Sequence, residues 1–284
     1  MGDEGVYMGL RIATNVQSLV AQRFLGINGS AQKNSLEHLS SGSRINKAAD
    51  DAAGLAISDT MRGQIRSLRQ ANRNANDGIS MIQTAEGGMA EIGNILIRFR
   101  ELSTQAASDT IGDTERGFID KEVQQLKQEV TRIAASTEFN GKRVLAGEGE
   151  TFSFQVGVHN SDEQDRFMFD TSKTNVTLDR LGIEGLNTSD KEAARGNLDQ
   201  IDSAMKSLVE TRAELGALQN RLQSTVNNLA IYDENLSTAN SRIRDTDMAA
   251  ETAELAKFNI LNSSGVSVLS QANQNNMMAL KLIG

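Results

Sequence analysis

An apolar residue recurs at every seventh position in two widely separated parts of the chain. A strict seven-residue repeat is typical of helices that pack against one another in a left-handed bundle. A helix from position 50 to position 107 would be about 87 Å long at 1.5 Å per residue, too long for a small globule. We therefore predict two long helices packed antiparallel, and we assign every residue of the repeats except Ala75 and Leu236 to the bundle core. The repeats are Met61, Leu68, Ala75, Ile82, Met89 and Leu96 in the first part and Ile201, Leu208, Leu215, Leu222, Leu229 and Leu236 in the second.

The composition supports long helices and excludes several classes of protein. Proline is absent from all 284 residues, although average usage of roughly 5% predicts about 14, and proline interrupts helices. Cysteine is also absent, which excludes disulfides, thiolate metal sites and cysteine catalysis. Aromatic residues make up only 4%, too few for a typical sandwich or barrel core or for base stacking. The net charge of −8 disfavours nonspecific binding to nucleic acid or to an anionic membrane.

The middle of the chain changes to a two-residue period. Phe152, Phe154, Val156 and Val158 alternate with polar residues or glycine, which is typical of a half-buried strand. Turn-forming residues follow, and residues 166–169 have the composition of a partner strand. We therefore predict a small β-hairpin lobe between the two long helices.

Local signals mark two helix ends near this lobe. An amphipathic helix with apolar residues from Ile119 to Ile133 is predicted to end at the pair Asn140-Gly141, because both residues tolerate a left-handed backbone. The second long helix is predicted to begin with a capping box formed by Ser189 and Glu192.

Each end of the chain carries an amphipathic helix with few charges. Such marginal helices can pair with each other or with the helices of neighbouring subunits, and a head-to-tail interface that does not close gives an open filament. A soluble monomeric bundle with frayed ends is the alternative that this pattern leaves open. The residues assigned to polymerisation are Val16, Val20, Phe24 and Ile27 near the N-terminus and Phe258, Leu261, Val268, Ala272 and Leu280 near the C-terminus.

The expected fold is mainly α: a long antiparallel helical bundle or coiled coil with a small β-hairpin lobe and two terminal helices. Segment boundaries follow the changes of period and the Ser/Gly-rich stretch near residue 42, a candidate hinge. The predicted segments are a disordered extension (1–7), an N-terminal helix with its hinge (8–49), the first part of the bundle (50–138), the β lobe (139–188), the second long helix (189–240) and a C-terminal linker with its helix (241–284).

The sequence contains no recognisable catalytic or metal-binding constellation. The two histidines, His38 on a predicted helix and His159 in a predicted turn, are assigned a surface or interface role. Phosphate-binding loops, nucleophile elbows and zinc-protease motifs are missing, so we predict a non-enzymatic protein without cofactors or metals. No apolar run approaches the ~20 residues of a membrane span, and no secretory signal precedes the first helix. We therefore expect no membrane insertion.

Two long, ordered sets of motifs resemble the terminal signatures of bacterial flagellins. The first consists of LSSGSRIN at residues 39–46 followed by ADDAAGLAI at residues 49–57. The second consists of IRDTD at residues 243–247 and LSQANQ at residues 269–274. With shorter matches in between, the resemblance covers nearly the whole chain from Met8. One departure is the absence of the proline that usually follows the last motif.

The resemblance implies the subunit of the bacterial flagellar filament, a homopolymer that serves swimming motility. In this family the terminal helices form an inner tube, and the long helices with the β lobe form an outer tube. Export through the flagellar type III apparatus with an export chaperone, contacts with hook-associated and cap proteins, and an extracellular location without a cleavable signal peptide are also implied. About fifty residues separate the helical halves, which indicates a core-only flagellin without outer domains.

The resemblance also implies a host-side partner. The flagellin-sensing toll-like receptor binds the helical core of many flagellins through an arginine, a leucine and a glutamate. The matching positions in this sequence are Arg98, Leu102 and Glu122. Subunit packing is the alternative role for the same residues.

Two other structural interpretations stay open on the sequence alone. A hook–filament junction protein shares the terminal signatures but occurs in few copies. A soluble coiled-coil adaptor would bind a partner through a helix in a groove. The match to both signatures and the short β lobe favour a flagellin.

Overall fold

The computed structural model describes residues 14–281, with all side chains except those of residues 276 and 278–281. The extension expected at residues 1–7 therefore lies outside the described residues. The described chain is mainly helical with two small antiparallel hairpins, which confirms the predicted fold class. In chain order the elements are α1 (Val16–Ser41), α2 (Ala52–Ala106), α3 (Asp113–Ser136), β1 (Glu138–Phe139), β2 (Lys142–Arg143), β3 (Thr151–Gln155), β4 (Arg166–Asp170), α4 (Lys191–Arg244) and α5 (Met248–Lys281).

Two compact units make up the described chain. The first contains residues 14–62 and 237–281, and the second contains residues 63–236. Both limits fall inside α2 and α4, whereas the sequence suggests limits near residues 49 and 241. Within the first unit, Asp59 near the start of α2 pairs with Arg244 at the end of α4 at 3.0 Å. This pairing is one reason why these helix ends group with α1 and α5.

α2 and α4 run antiparallel through the second unit, as the two seven-residue repeats predict. Arg100 of α2 binds Asp202 of α4 at 2.9 Å, and Arg69 binds Asp233 at 3.0 Å. Residue numbers therefore rise along one helix as they fall along the other. The seven-residue period brings the same face of each helix to this contact over its whole length.

α2 and α4, which carry the two repeats, supply most of the core of the second unit, and α3, the β3–β4 hairpin and the segments at residues 144–145 and 176–186 complete it. Met61 and Leu229 are exceptions, because both are only half-buried and neither belongs to the core cluster. The hairpin meets α2 at Asn74, whose Nδ2 donates to the carbonyl of Gln155 at 2.9 Å. Met61 belongs to the first unit. The buried residues of the predicted core are Leu68, Ile82, Met89, Leu96, Ile201, Leu208, Leu215 and Leu222.

The Asn140-Gly141 pair forms the turn of a hairpin and does not end a helix. α3 already ends at Ser136, and β1 then pairs with β2 antiparallel. Asn140 (φ 52°) and Gly141 (φ 76°) both have left-handed backbones, as the central residues of a type I′ turn require. The sequence interpretation is wrong at this point, because the same backbone tolerance serves a helix end and a two-residue turn.

The second hairpin lies where the sequence predicts it, with a shorter first strand. Phe152 of β3 lies opposite Phe169 of β4. β3 ends at Gln155, because the next two backbone N–H groups both donate to the carbonyl of Asp165, at 2.7 and 3.1 Å. Two residues on one side of the hairpin thus face a single residue on the other side, and this β-bulge interrupts the ladder of backbone hydrogen bonds. Val158, which was expected in the strand, lies beyond this point.

Asp190, and not Ser189, caps the N-terminus of α4. The Asp190 carboxylate accepts a hydrogen bond from the backbone N–H of Glu192 at 3.2 Å, whereas the Ser189 hydroxyl pairs with the side chain of Asn187. The Glu192 carboxylate binds Arg195 at 3.1 Å. The predicted capping box is therefore wrong, because Asp190 places a carboxylate acceptor one residue closer to the helix.

Candidate assembly surface

α1 and α5 pair antiparallel within the first unit. Asn15 caps α1, because its Oδ1 accepts from the backbone N–H of Ser18 at 3.0 Å. The Nδ2 of the same residue donates to the carbonyl of Ala272 near the end of α5, at 3.0 Å. At the other end of α1, Nδ1 of His38 lies 3.6 Å from the carboxylate of Glu251. The two helices are thus connected near both ends.

The most buried positions of the contact between α1 and α5, which we call the seam, hold small residues. A side-chain carbon at Gly265 would lie 3.1 Å from Cδ1 of Leu25, so the two helices approach closely at that point. Small side chains permit this approach but bury little apolar area. The most buried residues of the seam are Ser18, Ala21 and Ser35 of α1 and Ala272 of α5.

Large apolar side chains beside the seam remain exposed, and we call this set the apolar face. Phe24 is 53% exposed and Val268 is 58% exposed. Full burial of one such side chain contributes about 1.5–3 kcal/mol, and the isolated chain does not gain this contribution. The apolar face comprises Val16, Val20, Phe24 and Ile27 of α1 with Leu261 and Val268 of α5.

An open groove of about 830 Å³ runs between α1 and α5 along the apolar face. Val20 and Phe24 line it from α1, and Leu261 and Val268 line it from α5. A groove with such walls suits the apolar side chains of another helix.

Three residues that the sequence assigns to polymerisation do not belong to the apolar face. Phe258 is half-buried. Ala272 is 6% exposed and lies in the seam. The side chain of Leu280 lies outside the described residues.

The connection between α1 and α2 is fastened to the connection between α4 and α5. Gly42 follows α1 in a left-handed conformation (φ 68°), and its carbonyl accepts from the backbone N–H of Thr246 at 3.0 Å. The backbone N–H of Arg44 donates to the carbonyl of Arg244 at 2.6 Å. We call these contacts the joint. The expected hinge is therefore held by hydrogen bonds from a distant part of the chain.

Two carboxylates order the loop between the joint and α2. Asp50 accepts from the backbone N–H groups of Lys47 at 2.9 Å and Asn46 at 3.0 Å. These hydrogen bonds, that from Lys47 first, lower the pKa of the Asp50 carboxyl because they stabilise its ionised form. Asp51 accepts from the backbone N–H of Gly54 at 2.9 Å and so caps the start of α2.

The residues matched to the receptor motif lie on α2 and α3 in the second unit. Arg98 binds Glu101 at 2.9 Å and Glu122 at 2.8 Å. Hydrogen bonds to Glu101 and then to Glu122 raise the pKa of the Arg98 guanidinium. Leu102, in contrast, is 2% exposed and packs in the core. The Leu102 side chain is therefore not exposed for a direct contact in this structure.

Within residues 14–281, no helix is both long enough and apolar enough to cross a lipid bilayer. The same residues contain no cluster of three or more acidic or histidine side chains that could hold a metal ion.

Comparisons with known proteins match both ends of the chain. The family model for the bacterial flagellin N-terminal helical region matches residues 12–150, and the model for the C-terminal helical region matches residues 198–283. A flagellin from Halalkalibacterium halodurans is 42% identical, over 95% of this chain and 98% of its own. The chain belongs to the flagellin family.

Other flagellins and filament proteins are similar to this flagellin. The flagellar filament 30.7 kDa core protein of Treponema maltophilum is 42% identical over 95% of this chain and 98% of its own. The crystal structure of Bacillus cereus flagellin is 31% identical, with a TM-score of 0.49, and the match covers 55% of this chain and 88% of that one. As a flagellin, the chain is a structural subunit of the flagellar filament, and the junction-protein and adaptor interpretations are not favoured.

Sequence reasoning missed the seam and the joint of this flagellin. The seam has a signal, because small or polar residues recur every three or four positions beside the apolar face of α1. The larger apolar residues of the neighbouring face give a stronger periodic signal, which hides the signal of the seam. The joint has no such signal, since Arg44 and Arg244 are far apart in the sequence. The α1 residues at this spacing of three or four positions, among which Leu25 is the larger one, are Ser18, Ala21, Leu25, Asn28, Gln32 and Ser35.

Proposed function

We propose that this flagellin polymerises through the apolar face of α1 and α5. The observation that carries the proposal is the distribution of side chains in the helix pair. Small residues occupy the most buried positions of the seam, while large apolar residues line an open groove beside it. A helix pair that only had to hold itself together would gain more by burying Phe24 and Val268 than Ser18 and Ala21.

Burial of the apolar face between copies supplies a driving force for assembly. Each large apolar side chain contributes about 1.5–3 kcal/mol when it leaves water. An exposed apolar patch on a soluble protein is also typical of an interaction surface. When such contacts join unlike surfaces of successive copies and do not close into a ring, an open helical polymer results.

The two units then have separate roles. The second unit keeps the subunit folded through the core that α2, α3 and α4 build with the hairpin. The first unit provides the assembly surface on α1 and α5. This division fits the inner and outer tubes of the family, with the terminal helices in the inner tube.

Val268 and Val209 provide a matched test of this proposal. Both are exposed valines, at 58% and 61%, but Val268 lies on the apolar face and Val209 on α4. Val268→Asp is expected to abolish filament growth from short seeds, because an unpaired carboxylate is costly to bury. Val209→Asp is expected to grow filaments as the unmodified chain does. The measurement is electron microscopy of purified monomer incubated with seeds.

Circular dichroism of both monomers serves as the control for folding. Normal filaments from Val268→Asp would contradict the proposal. Equal loss of growth in both variants would contradict it as well, because the effect would then not be specific to the apolar face.

The proposal includes the partners that flagellins use before and during assembly. These are an export chaperone, the flagellar export apparatus, and the hook-associated and cap proteins, with export to the cell exterior without a cleavable signal peptide. Family membership supports this part. The exposed apolar face supports it too, since such a surface needs protection before assembly.

Recognition by the flagellin-sensing toll-like receptor is proposed through Arg98 and Glu122 and not through Leu102. Both charged side chains are about half exposed, at 48% and 45%. Arg98→Ala is expected to weaken binding of the monomer to the receptor. Arg132→Ala is the matched control, because Arg132 is also an exposed arginine paired with a glutamate on α3. Equal binding by both variants would remove this part of the proposal.

A further inference from the structure

Three arginines follow one another along one face of α2 near the start of the second unit, and we call them the arginine stripe. Arg66, Arg69 and Arg73 are spaced by three and four residues, and all three are exposed. Residues at this spacing are neighbours on the surface of a helix, and like charges placed there destabilise it. Such a row is favourable only where negative charge compensates it.

The subunit itself compensates one of these three charges. Arg69 binds the carboxylate of Asp233 on α4 at 3.0 Å. Arg73 donates to the amide oxygen of Gln70 at 3.1 Å, which leaves its charge without a carboxylate partner. Within the described chain, Arg66 has no hydrogen-bond or ion-pair partner. Two positive charges of the arginine stripe are thus available to another molecule.

The arginine stripe lies outside the core of the second unit. Among the described residues, the core cluster contains no residue of α2 before Ala75. Ile231 and Tyr232, the two residues before Asp233 on α4, are 60% and 50% exposed. Arginine and aromatic residues are enriched at protein interfaces. The composition of this surface is therefore that of a contact with another protein chain.

The middle of the chain carries an excess of the opposite charge. Residues 148–192 contain ten acidic and four basic residues. Asp179 and Glu184 are exposed in this segment. Their carboxylates have no hydrogen-bond or ion-pair partner in the part of the chain that the structure describes, and we call them the acidic pair.

The acidic pair cannot reach the arginine stripe of its own chain. Lys127 of α3 donates to the backbone carbonyl of Glu184, which places the acidic pair beside α3. Glu122 of α3 meets Arg98 of α2 at 2.8 Å, and the two helices run antiparallel. Lys127 is therefore level with a position of α2 about 20 residues after Arg73, roughly 30 Å along the helix. The two surfaces can meet only between copies.

We propose that the arginine stripe of one subunit binds the acidic pair of a neighbouring copy in the filament. This contact is separate from the apolar face of α1 and α5, so it does not rest on the proposed function. It joins unlike surfaces of two copies, as an open polymer requires. Complementary charges suppress wrong orientations and fix the register between partners. The contact therefore sets how neighbouring subunits lie against each other.

Reversal of the two sets of charges tests this contact. One chain carries Arg66→Glu with Arg73→Glu, and the other carries Asp179→Lys with Glu184→Lys. Each alone is expected to elongate about tenfold more slowly than the unmodified chain, because like charges then meet. An equal mixture is expected to recover to within about twofold, since each reversed surface meets its opposite on the other chain. The measurement is filament length by electron microscopy, grown from short seeds of the unmodified chain.

Two further variants serve as controls. Arg66→Lys with Arg73→Lys keeps both charges and is expected to grow as the unmodified chain does. Arg132→Glu with Arg195→Glu reverses two exposed arginines outside the arginine stripe and is also expected to grow normally. Circular dichroism of each monomer checks its folding. Recovery in the mixture excludes misfolding as the cause of slow growth, because both chains would then stay inactive.

Normal growth of both charge-reversed chains on their own would overturn the inference. A mixture that grows as slowly as its components would also overturn it, because the arginine stripe would then have a partner other than the acidic pair. Both outcomes leave the proposed function untouched, since Val268→Asp tests the apolar face separately. Normal filaments from Val268→Asp, together with recovery in the mixture, would contradict the proposed function and support this contact.

Discussion

The two units of this flagellin treat large apolar side chains in opposite ways. In the second unit, Met89 and Leu222 from the seven-residue repeats are 0% exposed. In the first unit, Phe24 and Val268 are 53% and 58% exposed, while Ser18 is buried. Both units are built from amphipathic helices with apolar residues at intervals of three, four or seven. An apolar stripe therefore identifies a face that favours burial, but it does not tell whether the partner belongs to the same chain.

The number of elements around each helix pair accounts for the difference. α2 and α4 are joined by α3 and the β3–β4 hairpin, and together these elements enclose large side chains. Within the described first unit, α1 packs mainly against α5, and the most buried positions of their seam hold small residues. A pair of helices cannot surround a phenylalanine placed beside its seam. In the proposed function, other copies supply the missing enclosure.

Aspartate at a core position of the second unit should have the largest effect on stability. Leu222→Asp, like Leu215→Asp, buries an unpaired carboxylate and is expected to cost several kcal/mol, enough to unfold the bundle. Val268→Asp makes the same change on the exposed apolar face and is expected to alter monomer stability by about 0.5 kcal/mol or less. Thermal melting followed by circular dichroism measures both. Unchanged melting of Leu222→Asp, or an equal loss in Val268→Asp, would break the comparison between the units.

A buried arginine in the second unit should have an intermediate effect. Arg116 is 7% exposed and donates to the carbonyls of Ala106 and Ser108, both at 3.0 Å, where α2 ends. Arg116→Met leaves these carbonyls without their donors and is expected to cost about 1–3 kcal/mol. Arg195→Met is the control, because Arg195 is half-exposed and pairs with Glu192 on its own helix. Denaturant titration should show a lower midpoint for the first variant alone, and equal midpoints would refute the assigned role.

Removal of residues 248–284 should change the main melting transition least, although it removes all of α5. The core of the second unit contains no residue from this segment. The shortened chain is expected to keep its cooperative transition and to lose filament growth. Loss of the transition would show that the two units do not differ as described. Normal filaments from the shortened chain would show that the tail has no part in assembly.

The sequence predicts the second unit better than the first, for a physical reason. Leu208, Leu215 and Leu222 lie in one stripe and are buried where that stripe meets α2. The seven-residue period and the size of the residues are enough to predict this burial from the sequence of a single helix. The end positions Met61 and Leu229 continue the same stripes but are only half-buried, which the repeat alone does not indicate.

Other features depend on partners that no local pattern reveals. Asn140-Gly141 fits a helix end and a hairpin turn equally well until β2 is known to pair with β1. Gln32 of α1 forms hydrogen bonds with Asn259 and Asn262 of α5, which are more than 200 positions away. Before the pairing of α1 with α5 is known, Gln32 is one more polar residue beside an apolar stripe.

The most direct test of the account is the reactivity of Val20→Cys and Ser18→Cys in the monomer and in the assembled filament. Val20→Cys on the apolar face is expected to react in the monomer and to become protected in the filament, because neighbouring copies cover it. Ser18→Cys in the seam is expected to react slowly in both states. Full reactivity of Val20→Cys in the filament would contradict the claim that this flagellin assembles through the apolar face of α1 and α5.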